Sequence, residues 1–141
     1  MIITTSARQT FLLGKKTAKN VLQSRTNAPF VIGLSGDLGS GKTTFVKGFA
    51  AGLGIKENII SPTFLLVCRY PFAGGNLYHV DPYRLEAPAP ALRSLGFLDT
   101  LREDSAIIIV EWAERVKEML PSDTMWIELR HAGGDKREIS V

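Results

Sequence analysis

The chain has 141 residues, 45% of them apolar and 22% charged, with a mean hydropathy of +0.06. That balance excludes a disordered, collagen-like or low-complexity chain and suits one domain over residues 1–141 with a single active site. The net charge of +3, from 17 basic and 14 acidic residues without a long basic block, permits an anionic partner but does not argue for nucleic-acid binding.

The chain starts without the basic n-region and apolar stretch of a signal peptide, and a cytoplasmic protein is expected. Its longest apolar runs, such as 106–110, are far short of the roughly 18 residues a membrane span needs, so no membrane partner is expected. From Thr5 to about Arg25, Phe11, Leu12, Ala18, Val21 and Leu22 recur at helical spacing behind Thr5 or Ser6 as N-cap. Phe30 to Leu34 is short, β-branched and apolar on both faces, the pattern of a strand inside a covered parallel sheet. A helix is predicted from Lys42 to about Leu53, stopped by Gly52 and Gly54. Thr63 to Tyr70 and Asn76 to Val80 flank a Pro- and Gly-containing stretch and read as arms of a β-hairpin; Cys68, the lone cysteine, reads as a small core residue. Pro82, Pro88 and Pro90 break regularity, and Leu92 to Arg102 has room for one or two short helices around Gly96. Ala106 to Val110 is a strand, Trp112 to Met119 a helix stopped before Pro121, and Thr124–Arg130 with Lys136–Val141 a final strand pair. The fold class is therefore α/β, a mixed β-sheet flanked by helices.

Gly36-Asp37-Leu38-Gly39-Ser40-Gly41-Lys42-Thr43 fits the phosphate-cradle pattern G-x-x-x-x-G-K-[ST] at every fixed position, between a buried strand and a helix start. In that setting successive backbone N–H groups converge on a phosphate at the positive end of a helix dipole, and glycines let the backbone approach it. Lys42 would meet the β- and γ-phosphates, with its ammonium facing solvent when no nucleotide is bound, and the Thr43 hydroxyl would ligate Mg²⁺. Glu111, after four apolar strand residues, supplies a metal-side carboxylate, although an acid there also suits the first turn of a helix. Asp81 ends the hairpin's second arm, where it acts on the metal's water or forms an ordinary Asp-Pro turn. Thr63 in Ser61-Pro62-Thr63-Phe64 offers a hydroxyl for sensing a γ-phosphate. His79 reads as a hydrogen-bonded strand residue ahead of a catalytic one, Arg84 as exposed or ion-paired ahead of an internal arginine finger, and Trp112 as core or as a cover on the site.

Gly36 to Thr44 (GDLGSGKTT), Ser61 to Phe64 (SPTF), Leu77 to Leu85 (LYHVDPYRL) and Val110 to Glu114 (VEWAE) together resemble the TsaE (YjeE) family. These are small bacterial P-loop ATPases serving threonylcarbamoyladenosine modification of tRNA. The resemblance spans nearly the whole chain and implies a P-loop NTPase-like sheet, ATP with Mg²⁺, slow intrinsic hydrolysis, and a complex with TsaB and TsaD proteins, with tRNA contacted indirectly. Carried over, residues 36–44 hold the phosphates, and Lys42, Asp81 and Glu111 are the candidate catalytic residues. Thr43 and Glu111 hold the metal, Thr63 belongs to a switch, and Thr10 and Arg137 lie near the base. Pro82 and the stretch Ala87-Pro88-Ala89-Pro90 depart from the family pattern. Two other readings share the cradle: a nucleotide-dependent binding switch with incidental hydrolysis, and a P-loop small-molecule kinase. For the kinase, residues 82–102 offer only Arg84, Arg93 and Arg102 toward a basic lid.

Overall fold

The register of three neighbouring parallel strands sets the architecture. In a computed structural model, which describes residues 1–60 and 66–141, β2 (Phe30–Ser35) lies between β5 (Ile107–Glu111) and β6 (Met125–His131), parallel to both. On the far side of β5, β4 (Gly75–Val80) continues the parallel run, and β3 (Val67–Phe72) closes that edge antiparallel to β4. At the other edge β7 (Arg137–Ser140) and β1 (Ile2–Thr4) add antiparallel strands, giving the order β1-β7-β6-β2-β5-β4-β3. The single α/β domain and the mixed sheet agree with the reading of the sequence. β1 is the element that reading lacks: three residues carry no usable periodicity, and the strand forms because β7 offers it a ladder.

Both faces of the sheet are covered, which explains the uniformly apolar central strands. On one face Ile32, Leu34, Ile107, Ile109, Ile127 and Leu129 pack against α1 (Ala7–Ser24) and α2 (Lys42–Gly52) through Ala18, Val21, Phe45 and Phe49. On the other, Val31, Ile108, Val110 and Val80 meet Leu92 of α3 (Pro88–Ser94), Phe97 of α4 (Phe97–Thr100), and Ala113 and Val116 of a 3-10 helix, Ala113–Met119. Ser6 caps α1, its hydroxyl accepting from the Gln9 N–H at 3.1 Å. The two larger helices touch backbone to side: a Cβ on Gly48 would lie 1.9 Å from the Phe11 carbonyl oxygen, and one on Gly14 2.2 Å from that of Phe45. α1 thereby holds α2, whose first turn belongs to the cradle, against the sheet.

Three local expectations are revised. The hairpin strands run through Pro71 and Phe72 to a tight turn at Ala73 and Gly74, because the pairs Pro71 with Asn76 and Phe72 with Gly75 extend the ladder on an edge strand that tolerates proline. Pro88 and Pro90 start α3 rather than break it, since first-turn N–H groups have no helical acceptor to lose. The segment after Trp112 is 3-10 rather than α-helical, with Val116 at φ −128° interrupting it.

Candidate functional site

The cradle occupies the turn between β2 and α2. Gly36, Gly39 and Gly41 have φ of +139°, +78° and +101°, and at Gly36 a Cβ would sit 2.1 Å from the Leu129 carbonyl oxygen of β6. Only glycine lets this turn pass so close to the neighbouring strand while keeping such a conformation. α2 begins at Lys42 with no side-chain cap, so its first N–H groups remain available to an anion.

Lys42 departs from the expectation of a solvent-facing ammonium. It is 5% exposed, and its Nζ donates to the carbonyls of Gly36 at 2.6 Å and Asp37 at 2.9 Å and to Ser40 Oγ at 3.3 Å. The Trp112 ring lies over it, centroid 3.9 Å from Nζ, and stacks in turn on Tyr83 at 4.8 Å. The loop's own oxygens supply the contacts that water would otherwise make. Burial pushes the lysine pKa below its ordinary value, opposed by Glu111 first and then Glu114, Asp81 and Asp37. Trp112 reaches this position through a left-handed backbone, φ +53°, a conformation that costs a non-glycine residue about 1–3 kcal/mol and that clusters at functional sites.

Two carboxylates meet the cradle because of strand register. Gly33 and Val80 both pair with Val110, so the residues that follow, Leu34, Asp81 and Glu111, stand at one level at the C-terminal edge of three adjacent strands. That edge is where ligands bind in open α/β sheets. Glu111, 2% exposed, accepts from the Thr43 hydroxyl at 3.1 and 3.2 Å and lies 2.5 Å from His79 Nε2. Asp81 is also buried, and its Oδ1 accepts from the Tyr83 N–H at 3.0 Å, the Asx turn of the alternative reading. It nevertheless borders the same cleft as Lys42, Thr43 and Glu111, a space of about 380 Å³.

The cleft also reaches Leu38, Gly39, Ser40, Gly41, Thr44, Arg84 and Arg137. Arg137 and Thr10 are brought together: with Gly41, Thr44, Ala7 and Asp135 they line a smaller recess of about 50 Å³ against the cradle. Thr10 is buried on α1, its hydroxyl 2.7 Å from that of Thr4. Thr63 lies outside the described residues.

Four further residues shape the site: His79 and Trp112, whose roles the sequence leaves open, and Tyr83 and Arg115, to which it assigns none. His79 shares a face of β4 with Leu77, two positions away, and meets Glu111 across the adjacent strand. The Tyr83–Trp112 stack depends on loop packing and has no signal in periodicity. Arg115 fixes the segment after Asp81, donating from Nη1 to the carbonyls of Pro82 and Tyr83 at 2.9 Å each and from Nη2 to Leu85 at 2.5 Å.

A family model for "Threonylcarbamoyl adenosine biosynthesis protein TsaE" matches residues 4–139. The chain belongs to the TsaE family. Its relatives include the tRNA threonylcarbamoyladenosine biosynthesis protein TsaE of Bacillus subtilis, 44% identical over 110 residues, 78% of this chain and 67% of that one. The Haemophilus influenzae protein of that name is 39% identical over 128 residues, 91% and 79% of the two chains. Among solved structures, that of Bacillus subtilis YdiB superposes with a TM-score of 0.73 at 34% identity, covering 98% of this chain and 80% of the other. The role of this TsaE family member therefore lies in threonylcarbamoyladenosine biosynthesis for tRNA.

The donor set at Thr43 and Glu111 fits Mg²⁺ bound with a nucleotide. Both offer oxygen, and the described residues contain no cluster of three or more His, Cys, Asp or Glu that would hold a metal alone. Mg²⁺ commonly takes one or two protein oxygens and completes its shell with phosphates and water. Among the described residues no helix is long and apolar enough to cross a membrane.

Proposed function

We propose that the chain binds ATP with Mg²⁺ and hydrolyses it slowly, in support of a TsaB and TsaD protein pair that carries out the tRNA modification. The observation that carries this reading is the convergence of Lys42, Thr43, Glu111 and Asp81 on one cleft beside the cradle. Each residue there suits one task. Backbone N–H groups of residues 39–44 would bind the phosphates at the start of α2. Lys42, already held among loop oxygens, would exchange them for phosphate oxygens and counter the charge of the leaving diphosphate. Thr43 and Glu111 would hold Mg²⁺, which when bound supplies positive charge against the charge developing on the phosphates.

Thr43 and Glu111 would fix the metal's position, and His79 would hold the Glu111 carboxylate in place. Asp81 stands level with Glu111 one strand away, where its carboxylate would orient the attacking water and accept its proton. Trp112, stacked on Tyr83, would shield the transferring group from bulk solvent. Thr10 and Arg137 would border the nucleoside from the recess next to Gly41, and Thr63 would sense the γ-phosphate.

Phosphate release from ATP, measured for the purified chain alone and with a TsaB–TsaD pair, tests the reading. Slow turnover that requires Mg²⁺ and rises with the pair is expected. Transfer of labelled phosphate to an acceptor other than water would replace the reading with a kinase, and ATP binding without phosphate release under either condition with a pure switch.

A further inference from the structure

Charge is distributed very unevenly along this chain. The first 56 residues carry eight lysines and arginines and a single acid, Asp37, whereas the remaining 85 carry 13 acids and nine basic residues. Much of the excess lies on α1. At 100° per residue, Arg8, Leu12, Lys15, Lys16, Lys19 and Leu22 fall within a stripe about 120° wide on the side away from the buried Gly14, Ala18 and Val21. Among the described residues none of its four cations pairs with a carboxylate. Leu12 and Leu22 within it are 43% and 37% exposed.

A groove of about 300 Å³ flanks the stripe, between α1 and the β6-β7-β1 edge of the sheet. Leu13, Phe45, Ile127 and Ile139 form its floor, and Lys16 and Asn20 stand on its α1 rim. Lys16, without a carboxylate partner among the described residues, thus links the charged stripe to an apolar slot.

Resting on the ATP-dependent partnership with TsaB and TsaD proposed above, we propose that the outward face of α1 and this groove dock an acidic protein surface carrying an apolar edge. Charge complementarity selects the acidic partner, since an unpaired row of four cations favours carboxylates and repels a basic surface. The apolar component selects protein over nucleic acid. Leucines and an apolar slot contribute nothing to phosphate contacts, whereas protein interfaces combine an apolar centre with a charged rim. The charged stripe lies on a different side of α1 from Thr10, and the groove shares no lining residue with the nucleotide cleft or its recess, so the docking surface can be occupied while the cleft is filled.

The test is the affinity of the full chain for a purified TsaB–TsaD pair in the presence of a non-hydrolysable ATP analogue, at two ionic strengths. The parent is compared with Lys16→Glu/Lys19→Glu, Lys16→Arg/Lys19→Arg and Leu12→Ala/Leu22→Ala, with circular dichroism and ATP affinity read on each. Expected is a loss of about tenfold or more on charge reversal, with a flatter salt dependence, near-parent affinity for the arginine variant, and weaker binding for the leucine variant. ATP affinity should stay at the parent value throughout. Binding by the parent that charge reversal leaves unchanged overturns the docking face and leaves the functional reading standing. No binding by the parent overturns both. Unfractionated tRNA is titrated in parallel, and a reversal-sensitive affinity for tRNA with none for the protein pair assigns the face to RNA instead, which also overturns the proposal.

Discussion

His79 Nε2 lies 2.5 Å from Glu111 Oε2, and the same carboxylate accepts from the Thr43 hydroxyl. Glu111 is thus held from β4 on one side and from the first turn of α2 on the other, with both His79 and Glu111 buried. The other ring nitrogen of His79, Nδ1, is buried with no hydrogen-bond partner among the described residues, where the ring's polar interaction is with this one acid. In the proposed mechanism His79 acts through Glu111 and is a positioning residue.

Replacing His79 with leucine should therefore weaken the Mg²⁺ dependence of nucleotide binding and slow hydrolysis by about 10- to 100-fold, the usual range for loss of a ligand's supporting partner. Glutamine, whose amide can still donate to Glu111, should recover part of the loss. Phosphate release titrated against Mg²⁺ measures both. A leucine variant with parent Mg²⁺ dependence and partial loss of stability would reduce His79 to a packing residue. Glu111→Gln should produce the larger defect, because it weakens the proposed metal-side ligand itself.

Lys42→Ala should lower ATP affinity by roughly one to two decades, the equivalent of about 1.5–3 kcal/mol for a charge-assisted contact. Its burial adds a second consequence. The variant leaves the carbonyls of Gly36 and Asp37 without their ammonium donor, so the nucleotide-free protein should also melt at a lower temperature. Calorimetric titration with Mg-ATP and a thermal melt separate the two effects. Unchanged ATP affinity would remove Lys42 from the binding site.

Asp81→Asn should keep ATP affinity within a few-fold of the parent and lose most turnover. The asparagine oxygen can still accept from the Tyr83 N–H and preserve the turn, while the proposed proton acceptor for water is gone. Affinity and single-turnover phosphate release on the same preparation decide it. Turnover at the parent rate would leave Asp81 as a turn residue alone.

At the α1–α2 crossing, Gly48→Ala should destabilise the protein by about 1–3 kcal/mol, the range for overpacking, since the new methyl would lie 1.9 Å from the Phe11 carbonyl oxygen. Backbone cannot yield there as a flexible side chain would. Urea unfolding monitored by circular dichroism measures the shift, and a midpoint equal to the parent's would show that the helices can separate at no cost.

The sequence alone determined the α/β class, the cradle and its place between a strand and a helix, because those depend on local apolar runs and on glycines at fixed spacing. It also pointed to Asp81 and Glu111, whose positions at strand ends follow from where the apolar runs stop. Tertiary structure decided everything that needs two distant segments at once. The pairing of Val80 and Gly33 with Val110 puts Asp81, Glu111 and the cradle on one level, and no periodicity within a strand contains that register. β1 exists because β7 supplies its hydrogen bonds. Lys42 turns inward because loop carbonyls and the Trp112 ring offer the ammonium enough to offset lost water, a balance set by two separate stretches of chain. His79 acquires its task in the same way, from an acid 32 residues further along that lies within hydrogen-bond reach only across the folded sheet.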